Sequence, residues 1–321
     1  MINDSYKKEL KETRAGFGEA LLELGRNNEK IVALCADLTG SLCMKKFSEE
    51  FPERFFQVGI AEANMIGMAA GLAIGGYIPF TGTFANFSSS RVYDQIRQSI
   101  AYSEKNVKIC ASHSGISLGE DGATHQILED IGMIKMLPGL IVINTCDYSQ
   151  TYKATLAISK SEDPTYLRFG RPSVPNFTKN HDLKIGKGIF LTEGNDVSII
   201  ATGHLVWESL KAYKTLVEAG ITCDIINVHT IKPLDEEIIL KSIEKTGCVV
   251  TAEEHNFLGG LGESIARILV NHLPKPQEFI SVNDTFGESG KQIELIKKYK
   301  IDKTSIVKKV KRVIKRKKVE L

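Results

Sequence analysis

The sequence predicts an α/β protein built as two doubly wound domains, and three observations carry that reading. Short apolar, strand-like runs alternate with helical stretches from Ile31 to Phe169, a pattern that argues for a parallel sheet covered on both faces. A second alternation of the same kind runs from Val197 to about residue 299. Between them, Gly170-Arg-Pro-Ser-Val-Pro-Asn-Phe-Thr-Lys-Asn-His-Asp182 is rich in proline and polar residues and reads as a linker. The expected division is a first domain over 1–175, a linker at 176–187 and a second domain over 188–321, sizes that suit two ordinary domains.

The elements follow in order. Residues 6–27 predict an amphipathic helix with Ala15, Phe17, Ala20, Leu21, Leu22 and Leu24 inward and Gly25 near its end. Ile31–Ala36 is a strand that ends at Asp37-Leu-Thr-Gly, so Asp37 stands where open α/β sheets carry their sites. Phe56–Gly59 reads as a short buried strand. From Ala61 the residues are small or apolar on every side, too few to span a bilayer, as in a helix packed inside a protein. Gly67, Ala69, Ala70, Gly71 and Ala73 leave room there for another backbone or a ligand. Strands then follow at Tyr77–Thr81, Val107–Ser112, Leu140–Thr145 and Thr165–Phe169, with helices at 88–103, 125–137 and 148–160. The second domain reads as strands at Val197–Thr202, Cys223–Val228, Cys248–Glu253 and Phe279–Val282, with helices at 205–219, 235–245, 260–271 and 288–299.

Composition narrows the class. The chain is 42% hydrophobic and 25% charged with a net charge of +2, as expected of a soluble globular protein, and it makes no general case for nucleic acid. The basic run at 308–318 reads first as a solvated last helix or frayed tail, and only second as a nucleic-acid or membrane contact. Six scattered cysteines form no C-x-x-C pair, no zinc spacing and no disulfide framework. No run reaches transmembrane length and the N-terminal residues resemble neither a signal nor a transit peptide, so a cytoplasmic location is expected.

Several side chains stand out as chemistry. Glu62 is the one charge at the mouth of the apolar helix; it reads either as a first-turn carboxylate facing the helix dipole or as an acid in a dry site, placed to share a proton with a ligand nitrogen. Phe84 and Phe87 lie three apart in the turn Thr81-Gly-Thr-Phe-Ala-Asn-Phe87. The loop Ser112-His-Ser-Gly-Ile-Ser-Leu-Gly-Glu-Asp-Gly-Ala-Thr-His-Gln126 gathers two histidines and two acids after a strand. Arg168 and Arg171 leave the last strand of the first domain. In the second domain the glycines of His255-Asn-Phe-Leu-Gly-Gly-Leu-Gly262 precede a helix, either as an anion site or as a tight turn.

The segment Val58-Gly-Ile-Ala-Glu62-Ala-Asn-Met-Ile-Gly-Met-Ala-Ala-Gly-Leu-Ala73 resembles the pyrimidine-binding segment of the transketolase family of thiamine diphosphate enzymes. The resemblance implies that Glu62 binds the pyrimidine nitrogen and favours the imino tautomer that deprotonates the thiazolium carbon. It places Phe87 as the ring that stacks on the aminopyrimidine, with Phe84 beside it, and Asp37 near the thiazolium. The Gly-rich loop resembles the family's sugar loop, which gives His113 the sugar phosphate, Asp121 the donor's C2 hydroxyl and His125 the C1 hydroxyl and the reaction centre. Ser114 and Ala123 depart from that pattern, where the family has aspartate and proline. Arg171, rather than Arg168, falls at the position of the sugar-phosphate arginine.

The family's G-D-G…N motif for metal and diphosphate has only a faint echo in Glu120-Asp-Gly and Asn144. The resemblance therefore implies the C-terminal half of a split transketolase: a pyrimidine-binding domain followed by a transketolase C-terminal domain, with no metal site of its own. A separate N-terminal, diphosphate-binding subunit would bring Mg2+ or Ca2+ and complete an α2β2 enzyme acting on sugar phosphates, with no nucleic acid or membrane partner. The nearest alternatives are a 2-oxoacid dehydrogenase beta chain, a split 1-deoxyxylulose-5-phosphate synthase and a non-catalytic scaffold subunit.

Overall fold

The computed structural model describes residues 9–319. A seven-stranded sheet forms the first half, with strands β2 (Ile31–Cys35), β3 (Phe55–Gln57), β4 (Ile78–Phe84), β5 (Lys108–Ser112), β6 (Ile141–Asn144) and β7 (Thr165–Arg168) all parallel. Every residue of β2, β5 and β7 is buried; β2 is accordingly apolar on both faces and not alternating, while β5 and β7 also bury Lys108 and Arg168, which are paired with the Ser161 and Asp163 carbonyls and with Asp130. Ile31, Ala33 and Cys35 face a core that holds Phe17 and Leu21 of the helix Thr13–Asn27. Leu34 and Ala36 face the opposite core, which holds Met65, Ile66, Ala69 and Ala70 of the helix Glu62–Ile74.

The second half is a five-stranded sheet of β9 (Ile189–Thr192), β10 (Val197–Ala201), β11 (Cys223–Asn227), β13 (Val249–Asn256) and β14 (Gln277–Val282). It is parallel except at β9. Strand β12 (Thr230–Lys232) belongs by sequence to this half, yet it pairs antiparallel with β6 and extends the first sheet. The core around the helix Glu62–Ile74 likewise takes in Ile239, Ile243, Leu261 and Ile265 from the second half.

Several expectations need correction. The first helix begins at Thr13; Leu10–Glu12 form β1, which pairs with β8 (Ser173–Pro175) inside the stretch expected to be linker. Residues 6–8 of that expected helix lie outside the described residues. Strand β3 is an edge strand and only half buried. The helix Glu62–Ile74 is not enclosed: Ala63, Asn64, Gly67, Gly71 and Ile74 are exposed. The expected helix at 88–103 is a 3-10 turn at Ser90–Val92, one α turn at Tyr93–Gln95 and a π-helical stretch at Ile96–Ala101. The expected helix at 125–137 shrinks to Asp130–Lys135. Its front end is spent on the loop instead, because the Gln126 amide donates to the carbonyls of Ile116, Gly119 and Glu288. The helix expected at 288–299 covers Gln292–Lys298.

The basic C-terminal run is a helix, Lys303–Val319, seated on the second sheet through Ile306, Val310 and Val313. Lys309, Arg312 and Arg316 converge on Glu278 at 2.8, 3.1 and 2.8 Å, so part of the charge is spent internally. No helix among the described residues is long and apolar enough to cross a membrane.

Candidate functional site

The carboxyl ends of the parallel strands assemble the site. Asp37 follows β2, Glu62 follows β3, Phe84 ends β4 with Phe87 just beyond it, His113 follows β5, and Arg171 follows β7. One edge of one sheet thus gathers residues that lie up to 134 positions apart in the sequence, as open α/β sheets do.

A continuous row of side chains runs along that edge. The Phe84 and Phe87 rings stack with centroids 5.8 Å apart. The His113 imidazole stacks on Phe84 with centroids 3.9 Å apart. His125 sets its edge against Phe87 at 5.3 Å and Phe84 at 6.3 Å. The Asn86 amide donates to the Thr124 carbonyl at 2.7 Å and so ties the phenylalanine turn to the histidine loop.

At the far end stands Glu62, on the first turn of its helix with only 5% of its side chain exposed. Arg91 Nη1 donates to both its carboxylate oxygens, at 3.2 and 3.3 Å. The same guanidinium lies 4.0 Å over the Phe87 ring. Sequence reasoning missed Arg91: nothing in its spacing from Phe87 signals that the Ser90–Val92 turn folds it back across the ring.

His113 is buried, with φ at +57° and Nδ1 2.8 Å from the Ser112 hydroxyl. Burial pushes its pKa down to about 3, with the nearby Arg14 and Arg171 guanidiniums adding to the effect. The ring is therefore neutral at physiological pH and contributes hydrogen bonds rather than charge.

The other expected residues stand apart from this row. Asp37 is exposed with φ at +57°, and its backbone N–H donates to the Gln57 side chain at 2.7 Å. Asp121 is exposed in the loop. Arg171 is half exposed, donates to the Leu118 carbonyl at 3.0 Å and lies 3.8 Å from Glu120. It lines a cleft of about 230 Å3 with Glu12, Ser117 and Gln292. Arg168, by contrast, is fully engaged inside the protein by Asp130 at 2.7 Å, Asn144 at 3.3 Å and the Glu254 carbonyl at 3.1 Å.

The second half reaches the loop directly. The Glu254 carboxylate accepts from the Ser117 backbone N–H and from the Ser117 hydroxyl at 3.1 Å. A Cβ on Gly115 would fall 2.4 Å from that carboxyl group, and φ there is +77°, so only glycine fits. His255 is spent on packing: Nε2 accepts from the Gly132 N–H at 3.2 Å and Nδ1 donates to the Asn256 carbonyl at 2.7 Å. The turn onto the helix Leu261–His272 is closed by the chain's own anion, since Glu253 accepts from the N–H groups of Leu261 and Gly262 at 2.7 and 2.8 Å. That excludes the external anion site and leaves the tight turn. Among the described residues no group of three His, Cys, Asp or Glu side chains is arranged to hold a metal.

Comparison with known proteins matches this architecture. Residues 10–176 fit the model of the transketolase pyrimidine binding domain and residues 186–306 that of the transketolase C-terminal domain. A putative transketolase C-terminal section from Methanocaldococcus jannaschii is 46% identical over 92% of this chain and 94% of its own length. A 6-deoxy-6-sulfo-D-fructose transketolase subunit from a Clostridium species is 41% identical over 98% and 99%. A solved structure described as a split gene transketolase, inactive beta4 tetramer, superposes with a TM-score of 0.89 at 41% identity and covers 95% of this chain and 98% of that one. With both domain models matched in order and relatives of its own length, the chain belongs to the transketolase family.

Proposed function

We propose that this chain is the pyrimidine-binding subunit of a two-chain transketolase, which moves a two-carbon ketol unit from a ketose phosphate to an aldose phosphate with thiamine diphosphate. One observation carries the reading: a buried carboxylate, Glu62, and a flat apolar ring, Phe87, border one space, and a planar nitrogen cation already fits there in the form of Arg91. An aminopyrimidine asks for the same two partners. When bound, thiamine diphosphate supplies the nucleophilic carbon that attacks the ketose.

The chain's residues do the rest. Glu62 holds the ring nitrogen and sets its protonation. Phe87 stacks on the pyrimidine and keeps water from it, with Phe84 packed behind. His125, against the Phe87 edge, and Asp121, on the same loop, take the donor's hydroxyls and pass protons at its carbonyl. His113, its Nδ1 paired with the Ser112 hydroxyl, presents Nε2 to the phosphate end, and Arg171 supplies the charge. Asp37 lines the thiazolium side.

The split-gene relatives support a separate N-terminal subunit. In the enzyme proposed here that subunit brings Mg2+ or Ca2+ and the diphosphate contacts, and the assembly is α2β2. The Clostridium relative is named for 6-deoxy-6-sulfo-D-fructose and one from Phocaeicola vulgatus for apulose 4-phosphate, so the named sugar differs among such subunits.

Transfer from xylulose 5-phosphate to ribose 5-phosphate, assayed with this chain and its partner, tests the proposal. Activity is expected in the complex, and Glu62→Gln is expected to lower kcat by at least about 100-fold, the size of effect a lost proton-transfer group has. An unchanged rate in Glu62→Gln would refute a catalytic role and favour the scaffold subunit.

A further inference from the structure

Arg91 has no catalytic role in the reading above, yet it makes both of the contacts that the cofactor ring needs. Its Nη1 bonds both oxygens of Glu62, and its plane lies 4.0 Å over Phe87. Two flat groups cannot occupy one face of Phe87 and one carboxylate together. The pairing also has a physical cause. A carboxylate buried as deeply as Glu62 is costly without a partner, and Arg91 is its one hydrogen-bond donor among the described residues. Arg91 itself keeps 46% of its side chain exposed, so it has a route into solvent.

We propose that Arg91 is an internal stand-in for the aminopyrimidine, which fills the Glu62–Phe87 space before the cofactor arrives and is displaced when the cofactor loads. The inference rests on the cofactor reading above and deepens it. Glu62 is held in place before loading, because its carboxylate exchanges one planar nitrogen donor, the guanidinium, for another, the aminopyrimidine. The cost is affinity: every cofactor must first break a charge-assisted hydrogen bond and a cation–π contact. Arg91 thus sets how tightly thiamine diphosphate is held without touching the sugar.

Isothermal titration of thiamine diphosphate into the complex with the partner subunit, at saturating magnesium, tests this without any turnover. Arg91→Met keeps the length of the side chain and removes both competing contacts, so its Kd is expected to fall about tenfold. Arg91→Lys keeps the charge but loses the flat face, and is expected to fall two- to threefold; it serves if the methionine variant does not assemble. In a Glu62→Gln background the gain from Arg91→Met is expected to shrink, because the competition for the carboxylate is gone. Unchanged or weaker binding in the Arg91 variants, with Glu62→Gln still losing affinity, would overturn the stand-in and leave the cofactor reading in place. No binding that depends on Glu62 in any form would overturn both.

Discussion

His113 and His229 both lie in surroundings that favour the neutral ring, with pKa values of about 3 and about 4 against an ordinary 6.5, and burial is the main cause in each. Because the folded values lie below the unfolded one, the unfolded chain takes up protons first as pH falls. Stability is therefore intact above about pH 6.5 and declines below it, until each folded pKa is reached. At about 1.4 kcal/mol per pH unit, each ring costs about 2 kcal/mol between pH 7 and pH 5. Urea unfolding at those two pH values is expected to show the sum, and His229→Asn to remove about half of it. The same scale separates the two arginines near the loop. They stand three residues apart in the sequence, but Arg168 is the last residue of β7 and turns inward to Asp130, while Arg171 lies past the strand's end. Only strand direction decides which guanidinium is free to meet a phosphate.

The helix Glu62–Ile74 shows what an element leaves open. Its small residues do allow close approach, but the approach is not made within this chain: a Cβ on Gly67 or Gly71 would meet nothing within 4 Å. Gly67→Ala is accordingly expected to raise the stability of the isolated chain by about 0.5–1 kcal/mol through helix propensity, measured by denaturant unfolding. Ile60 and Ile74 flank this face at 77% and 72% exposure, more apolar surface than a solvated helix usually shows. In the proposed complex this face is covered, so Gly67→Leu is expected to leave the chain folded but to lower the assembled fraction seen by light scattering. The loop after β5 shows the opposite case. Its 125–137 portion has helix-forming sequence, and tertiary hydrogen bonds from Gln126 override it.

At the scale of the molecule the two halves are interleaved. Strand β12 joins the first sheet, and Glu254 on β13 holds Ser117 in the site loop. Glu254→Ala leaves the Ser117 N–H without its partner and is expected to cost about 1–3 kcal/mol in denaturant unfolding. The loop that carries His113, Asp121 and His125 loosens with it, so kcat/KM for the sugar donor is expected to fall about tenfold while the Kd for thiamine diphosphate stays within twofold.

The sequence by itself determined the class and pointed to the edge on which the candidate site lies. Apolar runs such as Ile31–Cys35 must be buried strands, and polar or aromatic residues directly after them must lie at the strands' carboxyl ends. The motif around Glu62 and the loop at 112–126 were legible for the same reason: each is contiguous, and its residue types are unusual where they stand. What only the tertiary structure decided is every relation between distant segments. The Arg91–Glu62 pair spans 29 positions, the Ser117–Glu254 clamp 137, and the closure of the 261–272 helix by Glu253 decides between the two readings of its glycines in favour of the tight turn. Spacing along a chain reports periodicity over a few residues. Contacts of this range depend on which strand ends are brought together, and that is set by the sheet order.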